Sequence, residues 1–327
     1  MIHTTQRAVP AVLACLTAAA AAAQSELPRE VRVAAIPGVV AAGAEWQLVW
    51  HGTDNADGIV GTPDGGVLFA QEQPNRIGKL DAAGGFSVFL EGTRGAGSLS
   101  LDADGNLFAV ERTCTDPGRR TGTQCAQPTA VAVIHPARRV LADSFAGRPL
   151  GRLNDLVADG RGGAYFTVGD AYHVDAEGRV TRLSSDLRTN GVALSPGKET
   201  VYVTDRETIV AFDVGPGGAA SNRRELARLE AGGVGDGMAV DDEGRLYVTS
   251  GPGVQVLAAT GEYLGVIPTP RSAISAAFSG PGMQTLYIVG SGAALGPNGT
   301  EFTTPEGVRN NAKTIYAIQT IAAGISP

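Results

Sequence analysis

The chain is poor in the residues that mark several common enzyme classes. Of its 327 residues only 3 are cysteine and 4 are histidine. There is no G-x-S-x-G elbow, so a Ser-His-Asp triad has no support. No basic run interleaved with aromatics occurs and the net charge is −7, which argues against nucleic acid as a partner. Strong helix-forming stretches with caps are few. The apolar run "AVPAVLACLTAAAAAA" at 8–23 is too short to span a bilayer comfortably, so no membrane span is expected.

That run has another reading. It follows "MIHTTQR", which carries one positive charge, and ends with Ala21 and Ala23 as a small-x-small pair before Gln24. These features predict a cleavable export signal over 1–23 and a periplasmic or secreted mature protein. Cys15 leaves with the signal. Cys114 and Cys125 remain, flanking "TDPGRRTGTQ". In an oxidising compartment they are expected to form a disulfide, worth about 3 kcal/mol for a loop of this size. A zinc site built on the pair would need further Cys or His at ligand spacing, and none is present.

What the chain does have is glycine (45) and proline (18), about a fifth of all residues against roughly 12% in average proteins. Many short apolar segments are separated by Gly, Asp, Asn and Pro, which favours an all-β fold. Six segments align on their turns: "DGIVGTPDGGVLFAQ" from Asp57, "GSLSLDADGNLFAVE" from Gly97, "NDLVADGRGGAYFTV" from Asn154, "NGVALSPGKETVYVTD" from Asn190, "DGMAVDDEGRLYVTS" from Asp236 and "ISAAFSGPGMQTLYIVG" from Ile274. Each is a polar or small residue, an apolar strand, an Asp/Gly/Pro turn and a second apolar strand. The starts are 40, 57, 36, 46 and 38 residues apart, and the last copy is the least regular. This repeat predicts a six-bladed β-propeller, a single domain over 24–327 with a disulfide-bearing insertion at about 112–130. Third strands are expected in "NRIGKLD" (75–81), "HVDAEGRVTRL" (173–183), "TIVAFDV" (208–214) and "GVQVLAATGEYLGVI" (253–267). Ring closure requires one strand from each end of the chain, with candidates near Trp46 and Tyr316.

In a propeller the innermost strands line a central channel, so equivalent positions at their starts form a ring. Four of the six ring residues carry an oxygen ligand: Asp57, Asn154, Asn190 and Asp236. Buried together without partners they would be costly. A hard cation resolves the cost, since calcium takes six to eight oxygen ligands and two Asp charges balance it. No His or Cys stands in the ring, which disfavours zinc or copper. Ca²⁺ is therefore expected, with Mg²⁺, Mn²⁺ or Zn²⁺ as alternatives. Asp155 is expected to face away from the axis and tie a neighbouring backbone. Arg112 and Arg152, next to channel strands, are candidates for binding substrate.

The stretches "RLNDLVAD", "TNGVALSPGKETVYVTD" and "GDGMAVDDEGRLYVTSGPGVQVL" resemble the SMP-30/gluconolactonase/LRE-like family of six-bladed propellers. The resemblance implies a divalent ion, often calcium, at the top of the channel. Its ligands would be Asn154, Asn190 and Asp236, with Asp57 in place of the family's first-blade Glu. It also implies hydrolysis of sugar lactones or related esters, with Asp236 as both ligand and general base. Gly97 or Ser98 stands where the family commonly has a substrate-contacting Asn. The first blade is also similar to streptogramin lyase-type propellers. The expectation is a metal-dependent lactonase or esterase acting on a small molecule. The alternatives are a secreted binding propeller with a structural ion, or a lyase-like propeller. Nothing in the sequence fixes an oligomeric state.

Overall fold

The computed structural model describes residues 28–52, 54–112, 128–291 and 314–326. Within them, six four-stranded antiparallel sheets form the blades of a β-propeller. The inner strands are Ile59–Gly61, Ala96–Leu101, Leu156–Ala158, Thr189–Leu194, Met238–Val240 and Ala273–Ser279, and each contacts the next in a closed circle. The expected six-bladed fold is the observed one. The export signal, the 112–130 insertion apart from its edges, and Cys114 and Cys125 lie outside the described residues.

Local turn chemistry sets the hairpins. Asp81, Asp102, Asp159, Asp175 and Asp241 each accept, through Oδ1, the backbone N–H groups two and four residues on, at 2.7–3.1 Å. Three residues after each of them stands a glycine, Gly84, Gly105, Gly162, Gly178 or Gly244, at φ between 79° and 86°. An L side chain is strained there, and the aspartate satisfies the turn's own donors.

The middle strands have no hydrophobic alternation because neighbouring blades cover both of their faces. Val67–Gln71, Leu107–Glu111, Leu246–Ser250 and Gly253–Leu257 are buried throughout. Six apolar clusters follow, one per seam between blades. In one, Phe108 and Val110 of blade 2 meet Phe166 and Val174 of blade 3. The outer strand Phe86–Glu91, by contrast, is mostly exposed.

Blade 6 closes the ring as expected. Gln47–His51, from the N-terminal end, pairs with Thr314–Gln319, and these join Thr285–Gly290 and Ala273–Ser279 in one sheet. The chain before Gln47 also runs across blades 5 and 6. Val33, Ile36, Val39 and Val40 are buried in that seam, Arg29 N donates to Pro270 O at 2.7 Å, and Trp46 Nε1 donates to Pro268 O at 2.8 Å. Two of the expected third strands are each split in two: 253–267 gives Gly253–Leu257 and Tyr263–Pro268, and 173–183 is divided likewise. The third strand is Asp170–Val174 and the outer one Val180–Arg182, because the Asp175 turn folds the chain back between them. The register of the last copy is settled by Gly237 N, which donates to Ile274 O at 3.0 Å.

At the axis the inner strands approach backbone to backbone. A Cβ on Gly61 of blade 1 would run into Phe278 O of blade 6, whereas nothing lies within 4 Å of one built on Gly251. Gly61→Ala should therefore cost about 1–3 kcal/mol through overpacking. Gly251→Ala should stay within about 0.5 kcal/mol of the parent. Denaturant unfolding midpoints compare the two, and equal costs would contradict the close-packed seam.

Candidate functional site at the channel mouth

The first residue of each inner-strand copy arrives at one end of the channel. Around the circle the seams are made by neighbouring addresses. Gly58 N donates to Gly97 O at 2.7 Å and Gly237 N to Ile274 O at 3.0 Å. A Cβ on Gly191 would strike Asp236 O, and one on Gly58 would lie 2.5 Å from Ser98 Cα. These glycines do not have positive φ. The Asn-Gly and Asp-Gly pairs are therefore close-approach sites rather than turns.

Asp155 takes the glycine's place in blade 3. One of its oxygens accepts from Ser98 Oγ of blade 2 and from Leu156 N at 2.9 Å. The other accepts from Val192 N of blade 4 at 3.0 Å. It ties three blades together, and the bond from Val192 N is the tie to a neighbouring backbone that the sequence suggested. Burial pushes its carboxyl up, against the pull of those hydrogen bonds.

Asn154, Asn190 and Asp236 are brought together on one side of the mouth. Asn154 Nδ2 donates to Asn190 Oδ1 at 2.7 Å, and the Asn190 side chain hydrogen-bonds Asp236. Three threonines, each one residue before the end of a second strand, hold these residues from behind. Thr167 Oγ1 donates to Asn190 O at 2.5 Å, Thr204 Oγ1 accepts from Asn190 N at 3.1 Å, and Thr249 Oγ1 donates to Gly237 O at 2.9 Å. All three are fully buried. The "T" of "YFTV" and "YVT" was their visible trace in the sequence.

Asp57 lies on the other side and is engaged differently. Arg112 Nη1 donates to Asp57 Oδ2 at 2.8 Å and to Glu72 Oε1 at 2.5 Å, while Nη2 donates to Asn154 O. Arg112 is 3% exposed and Glu72 0%. Burial opposes the Arg112 charge, but Glu72 and Asp57 more than offset it and hold its pKa above the ordinary guanidinium value. Arg152 is exposed, two residues before Asn154. Sequence reasoning missed Glu72. It stands just after the second strand of blade 1, at the address that Arg112 holds in blade 2, 15 residues on from Asp57 and Gly97 respectively.

Among the described residues no three His, Cys, Asp or Glu side chains cluster to hold a metal. An ion here therefore depends on the amide oxygens of Asn154 and Asn190 together with Asp236. That all-oxygen donor set suits a hard divalent cation. Asp57 is already paired with a cation. Beneath the mouth the channel encloses a cavity of about 190 Å³, lined by inner-strand residues from Gly58 to Phe278 and, at its far end, by Ile325 and Ser326.

In the metal-free protein, burial, followed by the Asp57 and Asp155 carboxylates, pushes Asp236 up to about 8. The sign is then fixed. The folded state keeps this proton while the unfolded chain loses it near pH 4, so stability falls as pH rises from about 4 to about 8. Asp236→Asn removes the charge and keeps the shape. Asp236 retains some solvent contact, so the gain in chelator should be on the order of 1–3 kcal/mol at pH 8 and close to zero at pH 4. Denaturant midpoints at the two pH values measure it, and an equal effect at both would contradict the shift.

Comparison with known proteins agrees with this architecture. A Zymomonas mobilis gluconolactonase is 23% identical over an alignment covering 77% of this chain and 78% of that protein. A Xanthomonas campestris gluconolactonase structure superposes with a TM-score of 0.68 at 22% identity, covering 91% of this chain and 96% of that one. The calcium-binding protein regucalcin of Agrobacterium tumefaciens superposes with a TM-score of 0.61 at 17% identity, covering 86% and 97%. The model of the SMP-30/gluconolactonase/LRE-like region matches residues 56–292, and the chain belongs to that family.

Proposed function

We propose that this protein is a lactone hydrolase working at the channel mouth, and that its activity depends on one divalent cation held by Asn154, Asn190 and Asp236. The observation that carries the reading is the continuous chain of oxygen-bearing side chains from Asn154 through Asn190 to Asp236, in a family whose relatives include gluconolactonases. When bound, the ion supplies a Lewis acid for the lactone carbonyl. Asp236 takes the proton from the attacking water, since it is the one carboxylate of the ring with neither an arginine nor a blade-tying role among the described contacts. Asn154 and Asn190 orient it, their backbones fixed by Thr167 and Thr204. The exposed Arg152, two residues before Asn154, is the candidate for binding a substrate hydroxyl or carboxylate. The likeness to regucalcin, a calcium-binding protein, favours Ca²⁺ over the alternatives. We further propose export to the periplasm or the medium, supported by the 1–23 segment, with a Cys114–Cys125 disulfide.

The test is hydrolysis of a panel of sugar and simple lactones by protein freed of metal and then supplied with Ca²⁺, Mg²⁺ or Mn²⁺. Turnover should appear only with added ion. Asp236→Asn should lower kcat by about 10²–10⁴, the range for a lost general base. Asn190→Ala should weaken metal binding first and recover partly in excess ion. Metal-independent turnover, or full activity in Asp236→Asn, would contradict the proposal.

A further inference from the structure

We propose that Arg112 is a resident cation of the ring. It occupies the quadrant that Gly97 leaves open, withholds Asp57 and Glu72 from the divalent ion, and so confines the ion to the Asn154–Asn190–Asp236 side and limits its affinity. The inference rests on the proposed ion site, not on lactone hydrolysis.

Geometry carries it. Gly97 is the blade 2 residue at the ring address. A Cβ there would collide with the Arg112 guanidinium at Cζ, Nη1 and Nε, so the missing side chain makes room for the arginine. Gly97 does not have positive φ, so the backbone does not call for glycine. The space does. Arg112 comes from the end of the second strand of the same blade and turns inward over Gly97. Its two Nη groups are fully used, by Asp57, Glu72, the Asn154 carbonyl and, at 3.5 Å, Asn154 Oδ1. Neither a surface arginine nor a substrate-binding one explains that pattern, because the group is buried and its Nη donors face protein. A guanidinium between two carboxylates acts as their counter-ion.

Two consequences follow. Asp57 is a ligand to a cation, but that cation is Arg112. A divalent ion entering beside Asn154 meets a positive charge bonded to the same residue, which weakens its binding by direct repulsion. Removing the guanidinium would lift the repulsion and break the Arg112 contacts to Asp57 and Glu72.

Calorimetric titration of CaCl₂ into the full chain, without substrate, tests this in the parent, Arg112→Met, Arg112→Lys and Gly97→Ala. Arg112→Met should bind Ca²⁺ more tightly, by on the order of a hundredfold. Gly97→Ala keeps the arginine but expels it from the ring, and should tighten binding in the same direction. Arg112→Lys keeps the charge and should stay near the parent. In thermal unfolding, Arg112→Met should melt lower than the parent in chelator and regain the loss when Ca²⁺ is added. Gly97→Ala decides the matter if Arg112→Met does not fold. Unchanged or weaker Ca²⁺ binding in either folded variant overturns the proposal. The calcium readout needs no turnover, so an absence of lactone hydrolysis in the parent leaves it standing and counts only against the enzymatic reading.

Discussion

Everything at the mouth of this propeller depends on how closely the six inner strands pass one another at the axis. Where backbone meets backbone, as at Gly58, Gly191 and Gly237, no Cβ fits against the neighbouring blade. Where the seam is wider, Asp155 and Ser98 fill it with hydrogen bonds. This circle of contacts brings residues 36 to 57 positions apart in sequence to one address. It also holds them there through backbone hydrogen bonds and buried threonines rather than through their own side chains. The side chains then bond to one another across the mouth, Asn154 to Asn190 and Asn190 to Asp236, and a preorganised polar site requires such fixed groups.

Charge then divides the mouth in two. One half has a cation of the protein's own: Arg112 bridges Asp57 and Glu72 over the empty Gly97 position. The other half is polar and only partly compensated, with Asp236 held up in pKa by burial and by two nearby carboxylates. A buried carboxyl group beside two amide oxygens, pushed towards its protonated form when the site is empty, is a suitable arrangement for a hard cation. The asymmetry follows from a single vacancy in the repeat. A side chain at residue 97 would exclude the arginine, and Asp57 and Glu72 would then lose their contact with it.

The sequence displayed the fold clearly because each blade repeats the same local physics. Apolar middle strands covered on both faces, D-x-x-G turns at Asp102, Asp159 and Asp241, and closing strands near Trp46 and Tyr316 are all periodic features. The ring address was legible for the same reason, since Asn154, Asn190 and Asp236 stand first in their copies. The Arg112–Glu72 pair was harder to find. Its members lie at the ends of second strands, and their meeting depends on a residue with no side chain to notice. The matching offset of Glu72 from Asp57 and of Arg112 from Gly97 was the available signal. The division of 173–183 into two strands was obscured because a tight Asp turn inside an apolar segment looks, in one dimension, like a polar interruption of a single strand.

The central claim is that the mouth holds one divalent ion on the Asn154, Asn190 and Asp236 side while Asp57 stays on Arg112. Crystals grown with Mn²⁺, measured at a wavelength where manganese scatters anomalously, test it most directly. The account predicts a single anomalous peak within bonding distance of oxygens from all three residues, with the Arg112–Asp57 contact intact. No peak at the mouth, or a peak bonded to Asp57 with the guanidinium displaced, would contradict it.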